Sequence, residues 1–172
     1  VVATVSQATQ ADVLDAIGAA RASFDSGVFT SWSFKARSEL VAKIADLLER
    51  DTDVIARKES DDTGKRFIEA QYDVADVVST FRHFAALGAK EHGRSVDVGI
   101  AHVSSRIVHE PLGVASLIGP WNYPLLQIAW KVAPALVAGC SFIVKPSELT
   151  PQSAIALMKI IEEAGTPKGV AK

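Results

Sequence analysis

Apolar residues fall at helical spacing in the first half of this 172-residue chain and in short runs in the second. Thr9-Gln-Ala-Asp12 has the form of a capping box with Asp in place of Glu, and Val13, Ile17, Ala20 and Phe24 follow on one helical face up to Gly27. Leu40, Val41, Ile44, Leu47 and Leu48 form the apolar stripe of a second helix, with charges opposite. A short third helix is predicted from about Asp53 to Ser60, stopping at Asp61-Asp-Thr-Gly64. A fourth is predicted from about Phe67 to Leu87, with Val74, Val77, Val78, Phe81 and Phe84 inward. No internal repeat or low-complexity tract interrupts this pattern.

After Gly93 the spacing changes. His102 to His109 ("HVSSRIVH") is polar and β-branched, as an exposed or edge strand would be. Val114 to Ile118 is short, apolar and bounded by glycines, which predicts a buried strand. Asn122 to Ala138 reads as a helix, with Asn122 as its cap, Pro124 in its first turn and Gly139 as its end. Phe142 to Val144 is a second buried strand. A last helix starts at Thr150-Pro151 and runs through Ile155, Met158, Ile161 and Ala164 to Gly165 and Pro167. Two apolar strands joined through a helix imply parallel pairing with a right-handed crossover. The fold class is therefore α/β: the start of a doubly wound, Rossmann-like parallel sheet preceded by a set of helices.

Composition narrows the functions open to such a fold. The chain is 48% hydrophobic with a net charge of −2, too apolar for disorder and too near neutral to suggest a nucleic acid or an anionic membrane as partner. The uncharged run from Leu112 to Trp130 is broken by Gly113, Gly119, Pro120, Asn122, Pro124 and Gln127, which argues for buried core over a membrane span. A single cysteine, Cys140, excludes an internal disulfide and fits a reducing, cytoplasmic setting. Val1-Val-Ala-Thr4 lacks the charged and apolar segments of a signal peptide. The only methionine is Met158, and Gly169 to Lys172 closes no element, so the chain is expected to be part of a longer one.

Ligands of doubly wound sheets gather outside the carboxyl ends of the strands. Gly119-Pro-Trp-Asn122 leaves the first strand there, and Lys145-Pro-Ser-Glu148 leaves the second. Asn122, set between two aromatics and two prolines in "GPWNYPL", is either a helix-starting cap or a donor aimed at a ligand. Glu148 and Lys145 suit the vicinal hydroxyls of a ribose, and a carboxylate there repels a 2′-phosphate, which favours NAD over NADP. The alternative is a surface ion pair worth under about 1 kcal/mol. The G-x-G-x-x-G fingerprint follows neither strand. Cys140, in Ala138-Gly-Cys-Ser141 at the start of a buried strand, reads as a small hydrophobe rather than a nucleophile. His83, His92, His102 and His109 show no metal-ligand spacing.

"EPLGVASLIGPWNYPLLQIAWKVAPALVAGCSFIVKPSELTP" (Glu110 to Pro151) and "ESDDTGKRFIEAQYDV" (Glu59 to Val74) resemble the NAD(P)-dependent aldehyde dehydrogenases. The resemblance covers essentially the whole chain, and it implies the first third of an incomplete aldehyde dehydrogenase fold. On that resemblance, residues 1–93 are the helical part of the cofactor domain, 94–112 an oligomerisation β-hairpin, and 113–172 the first βαβα of the NAD-binding domain. The catalytic domain lies outside the chain.

The same resemblance implies roles by position. Asn122 matches the oxyanion-hole amide, a donor whose removal typically costs about 2.7–4 kcal/mol in the transition state. Ile118, Gly119, Pro120 and Trp121 match the segment beside NAD, and Lys145, Ser147 and Glu148 match the adenosine-ribose loop. Lys131 matches a lysine with either a proton-relay or a backbone-orienting role. Tyr123, Leu126, Gln127 and Trp130 match the aldehyde entrance. Tyr123 and Trp130, seven apart, are expected on one helix face, similar to the aromatic box for quaternary ammonium in betaine-aldehyde and aminoaldehyde dehydrogenases, where cation–π attraction reaches roughly 2 kcal/mol. The implied nucleophilic cysteine and general-base glutamate lie beyond Lys172, so the 172 residues alone are expected to be inactive, within a parent homodimer or homotetramer. Two alternatives are a non-catalytic truncated relative serving in binding or assembly, and an enzyme using Cys140.

Overall fold

A computed structural model of the chain describes residues 2–90 and 93–172; His92 lies outside the described residues. Four helices come first: α1 (Gln10–Asp25), α2 (Phe34–Arg50), α3 (Thr52–Thr63) and α4 (Phe67–Gly88). Then follow β1 (Arg94–Val96), β2 (Ser105–Ile107), β3 (Val114–Ile118), α5 (Pro124–Ala138), β4 (Ser141–Lys145) and α6 (Gln152–Glu163). Thr9 caps α1 in a full capping box, its hydroxyl accepting from Asp12 N–H while Asp12 accepts from Thr9 N–H. β3 and β4 pair in parallel from Val114↔Ser141 to Ile118↔Lys145, as the strand–helix–strand pattern predicts. β1 and β2 form a separate antiparallel hairpin. No helix among the described residues is long and apolar enough to cross a membrane.

One apolar core joins the two halves. Val41, Ile44 and Leu48 of α2 and Val74, Val77 and Phe81 of α4 are buried together with Leu125, Val132 and Leu136 of α5. The α4–α5 approach is close enough that a Cβ on Gly88 would lie 2.2 Å from Val137. Arg37, 4% exposed, is buried beside this contact. Its Nε donates to the carbonyl of Val137 in the last turn of α5 (2.8 Å) and its Nη1 to Trp32 O, so backbone acceptors stand where a counter-ion would otherwise be required.

Further polar contacts across the halves hold both ends of α6. Asp62 of α3 accepts from the backbone N–H of Gln152 (2.8 Å) and from its Nε2 (2.6 Å). Pro151, at the N-cap, makes no side-chain cap bond, so Asp62 supplies the missing acceptor from 90 residues away. At the other end, Lys43 Nζ donates to Ala164 O (2.9 Å) and Arg50 pairs with Glu163.

Several expectations change in detail. α3 continues through Asp61-Asp62-Thr63 to the left-handed Gly64 (φ 74°), because Asp62 faces α6 and not solvent. α1 turns Val13 and Ile17 outward, and only Ala20 and Ser23 are buried, where that end of the helix packs against Gly169. α6 buries Ala154, Leu157, Ile160 and Ile161 and leaves Ile155 exposed, since the contacts at both ends set its rotation. The 102–109 strand shortens to Ser105–Ile107, with His102 in a turn at φ 65°. Of β3 only Leu117 is buried, because no strand flanks its outer edge among the described residues. Gly169 to Lys172 also differs: Ala171 bridges in parallel to Phe142 on β4.

Candidate functional site

The two strand-end loops meet as the parallel pairing requires. Gly119 N–H donates to Lys145 O (3.0 Å), and Thr150 Oγ1 donates to Trp121 O (3.3 Å). Gly119 is buried against α5, and a Cβ there would lie 2.4 Å from Ile128 Cδ1. Pro120, Trp121 and Asn122 then run exposed across the surface, as does Ile118.

Asn122 does not cap α5. Tyr123 holds the N-cap in a left-handed conformation (φ 50°, ψ 51°), Pro124 takes the first helical position, and no side chain bonds the helix start. Asn122 instead lines a cleft of about 510 Å³, together with Lys65, Tyr72, Asp73, Trp121 and Tyr123.

The polar wall of this cleft comes from α3, α4 and the turn between them. Lys65 Nζ pairs with Asp73 of α4 and lies 3.5 Å from Glu59 of α3. The same ammonium sits 4.8 Å from the Tyr123 ring centroid. Glu59 is fully buried, and that burial pushes its carboxyl above the ordinary glutamate value. Sequence reasoning gave these three residues no role. A signal was present: Glu59 and Asp73 are carboxylates on the apolar phases of their helices, beside Ile55 and Ala56 and beside Val74 and Val77.

The remaining candidates divide between two places. Trp130 is half-exposed in a second hollow with Asp76, Thr80, His83, Phe84 and Leu126. Tyr123 precedes the helix and faces the first cleft, so the two aromatics do not stack as two turns of one helix would place them. Gln127 is half-buried; its N–H donates to Tyr123 O (2.9 Å) and its carbonyl accepts from Lys131 Nζ (2.8 Å).

Beyond β4, Lys145 and Glu148 form an exposed pair at 3.2 Å. The Glu148 carboxyl is held below its ordinary value, first by its own backbone N–H and then by Lys145. Ser147 is buried, its Oγ accepting from Leu149 N–H (3.3 Å), and so shapes the loop. Cys140 is buried where β4 begins. Among the described residues no three His, Cys, Asp or Glu side chains are grouped to hold a metal.

The profile of the aldehyde dehydrogenase family matches residues 1–172. A betaine aldehyde dehydrogenase of Bacillus subtilis is 46% identical over 170 residues, covering 99% of this chain and 35% of that protein. Human retinal dehydrogenase 2 is 44% identical over 172 residues, covering 98% of this chain and 33% of the relative. Among solved structures, Staphylococcus aureus betaine aldehyde dehydrogenase in complex with NAD+ superposes with a TM-score of 0.94 at 44% identity, covering 97% of this chain and 33% of that one. The chain thus spans about a third of the length of these relatives.

Proposed function

The chain belongs to the aldehyde dehydrogenase family, and from that premise we propose that it is the N-terminal part of an enzyme that oxidises an aldehyde to a carboxylic acid with NAD. The observation that carries the reading is Asn122: it is exposed beyond the carboxyl end of β3, lines a cleft, and does not cap the helix that follows. A thiolate attacking an aldehyde turns the carbonyl oxygen into an oxyanion, and a fixed amide donor lowers the energy of that charge. The thiolate comes from a cysteine outside these 172 residues, since Cys140 is buried, and so does the general base. The 172 residues alone are therefore inactive. A non-catalytic relative remains the rival reading.

The groups at the strand ends suit a dinucleotide. Ile118 offers an exposed apolar face, Gly119 lets the loop pack closely on Ile128, and the exposed Glu148 carboxylate can accept from two ribose hydroxyls while Lys145 donates. Trp121 and Pro120 extend the same surface, and Ser147 holds the loop's shape. Bound NAD supplies the hydride acceptor. The choice of NAD over NADP rests on Glu148, which would repel a 2′-phosphate.

Residues 113–172 then form the first part of the cofactor domain, 1–93 its helical complement, and 94–112 a hairpin that pairs with a second subunit of a homodimer or homotetramer. The single cysteine suits a cytoplasmic setting. The substrate reading, betaine aldehyde or an aminoaldehyde, now leans on Trp130, which shares its hollow with the Asp76 carboxylate. Leu126 lines the same hollow, Tyr123 belongs to the cleft of Asn122, and Lys131 acts on the Gln127 carbonyl rather than as a relay.

Kinetics of the complete enzyme test this. Asn122→Ala is expected to lower kcat by about 10²–10³, with betaine aldehyde preferred over neutral aldehydes by the unmodified enzyme. An unchanged kcat would sink the oxyanion role, and a clear preference for neutral aldehydes would sink the cationic substrate.

A further inference from the structure

Tyr123 is one of two non-glycine residues at positive φ among those described. A left-handed backbone is unfavourable for a residue with a Cβ and persists only where its surroundings over-determine it. Tyr123 also adjoins Asn122, so whatever fixes Tyr123 sets the direction of the neighbouring amide.

Two contacts do the fixing. On the backbone side, Gln127 N–H bonds Tyr123 O. On the side-chain side, the ring meets the Lys65 ammonium, 4.8 Å from its centroid. Lys65 follows the left-handed Gly64 that ends α3, and its ammonium is tied to Asp73 on α4 and to Glu59 on α3. The Glu59 side chain is inaccessible to solvent, with the buried Ser153 hydroxyl beside it. A buried carboxylate is costly compared with apolar packing even when paired, so stability alone does not account for it.

We propose that Glu59, Lys65 and Asp73 are positioning residues for the oxyanion donor: carboxylates from two helices hold one ammonium, and that ammonium clamps the Tyr123 ring so that Asn122 keeps a single aim. The inference rests on the reading of Asn122 as that donor. None of the three need touch the reacting atoms. Their effect passes through Tyr123, and it matters because a donor displaced by about 1 Å loses most of its effect on the transition state.

The test is a double-mutant cycle in the complete enzyme, with kcat and the KM for NAD measured for Asn122→Ala, Lys65→Met and the pair. Lys65→Met is expected to lower kcat by about tenfold or more while the KM for NAD stays within about twofold, as loss of orientation without loss of cofactor binding requires. Lys65→Arg, which keeps a cation for both carboxylates and the ring, is expected to recover most of the loss. In the Asn122→Ala background Lys65→Met should have no further effect, because the donor it orients is gone.

If Asn122→Ala alone leaves kcat unchanged, the oxyanion reading fails and the positioning role with it. If Asn122→Ala lowers kcat but Lys65→Met does not, or lowers it by the same factor in both backgrounds, the positioning role is overturned and the oxyanion reading stands. Should Lys65→Met fail to unfold cooperatively, Lys65→Gln takes its place in the same cycle. It keeps a polar side chain at the position and removes the charge that pairs with both carboxylates and faces the ring.

Discussion

Glu59 adds to the protein's pH dependence a contribution opposite in sign to that of the paired surface carboxyls. Burial raises its value above the ordinary 4.5, so the native state keeps a proton that the unfolded chain has already lost. In the window from 4.5 up to the raised value, the unfolded state binds fewer protons, and stability falls as pH rises. Above that window the loss is complete and constant. Urea unfolding of the parent and of Glu59→Gln across that range should therefore show the parent losing stability relative to the variant, and then levelling. Parallel curves would contradict a raised Glu59. The lesson for reading sequences is also local. Asn122 before a proline-started helix has the pattern of a cap, but the left-handed Tyr123 that takes its place depends on Lys65, 58 residues upstream by number (123 minus 65). No local pattern carries such information.

Among the elements, α6 depends on a carboxylate that is not its own. Asp62→Ala removes both bonds to Gln152 and the negative charge facing the helix N-terminus. The expected cost is about 1–2 kcal/mol, read as a lower urea midpoint with faster amide exchange in the first turn of α6. Unaltered exchange there would show that the cap contributes nothing. The same residue explains which elements were legible. α2 and α4 follow from long amphipathic stripes, and the parallel pairing of β3 with β4 follows from the intervening helix. The end of α3 does not, because Asp61-Asp62 has the composition of a solvent-facing stop. The burial of β3 was overstated because an apolar run reports what a strand can bury and not how many neighbours cover it. The strand-end loops were legible as one crevice because parallel topology forces both carboxyl ends to the same side, whereas the Lys65 and Asp73 wall of the cleft, with Glu59 buried behind it, is assembled from separate helices.

At the scale of the whole molecule, one core runs through both halves, and Cys140 reports on it. The residue is 6% exposed just before β4, so a thiol reagent should label the chain only through opening of that core. Labelling is expected to be slow in native buffer and to accelerate across the urea transition. Rapid labelling of the folded protein would contradict the buried placement and reopen a role for Cys140 as nucleophile. Arg37 adds a condition on assembly. Its guanidinium is buried on the carbonyl of Val137, made 100 positions later, and closing a connection of that length carries an entropic cost before any contact offsets it. During synthesis, α2 can form as soon as it emerges, but its arginine cannot be desolvated in this way until α5 has followed. The helical half is thus sealed by the βα unit that comes after it, and a chain still on the ribosome keeps that face open to water, or to whatever binds it there, until Val137 is free.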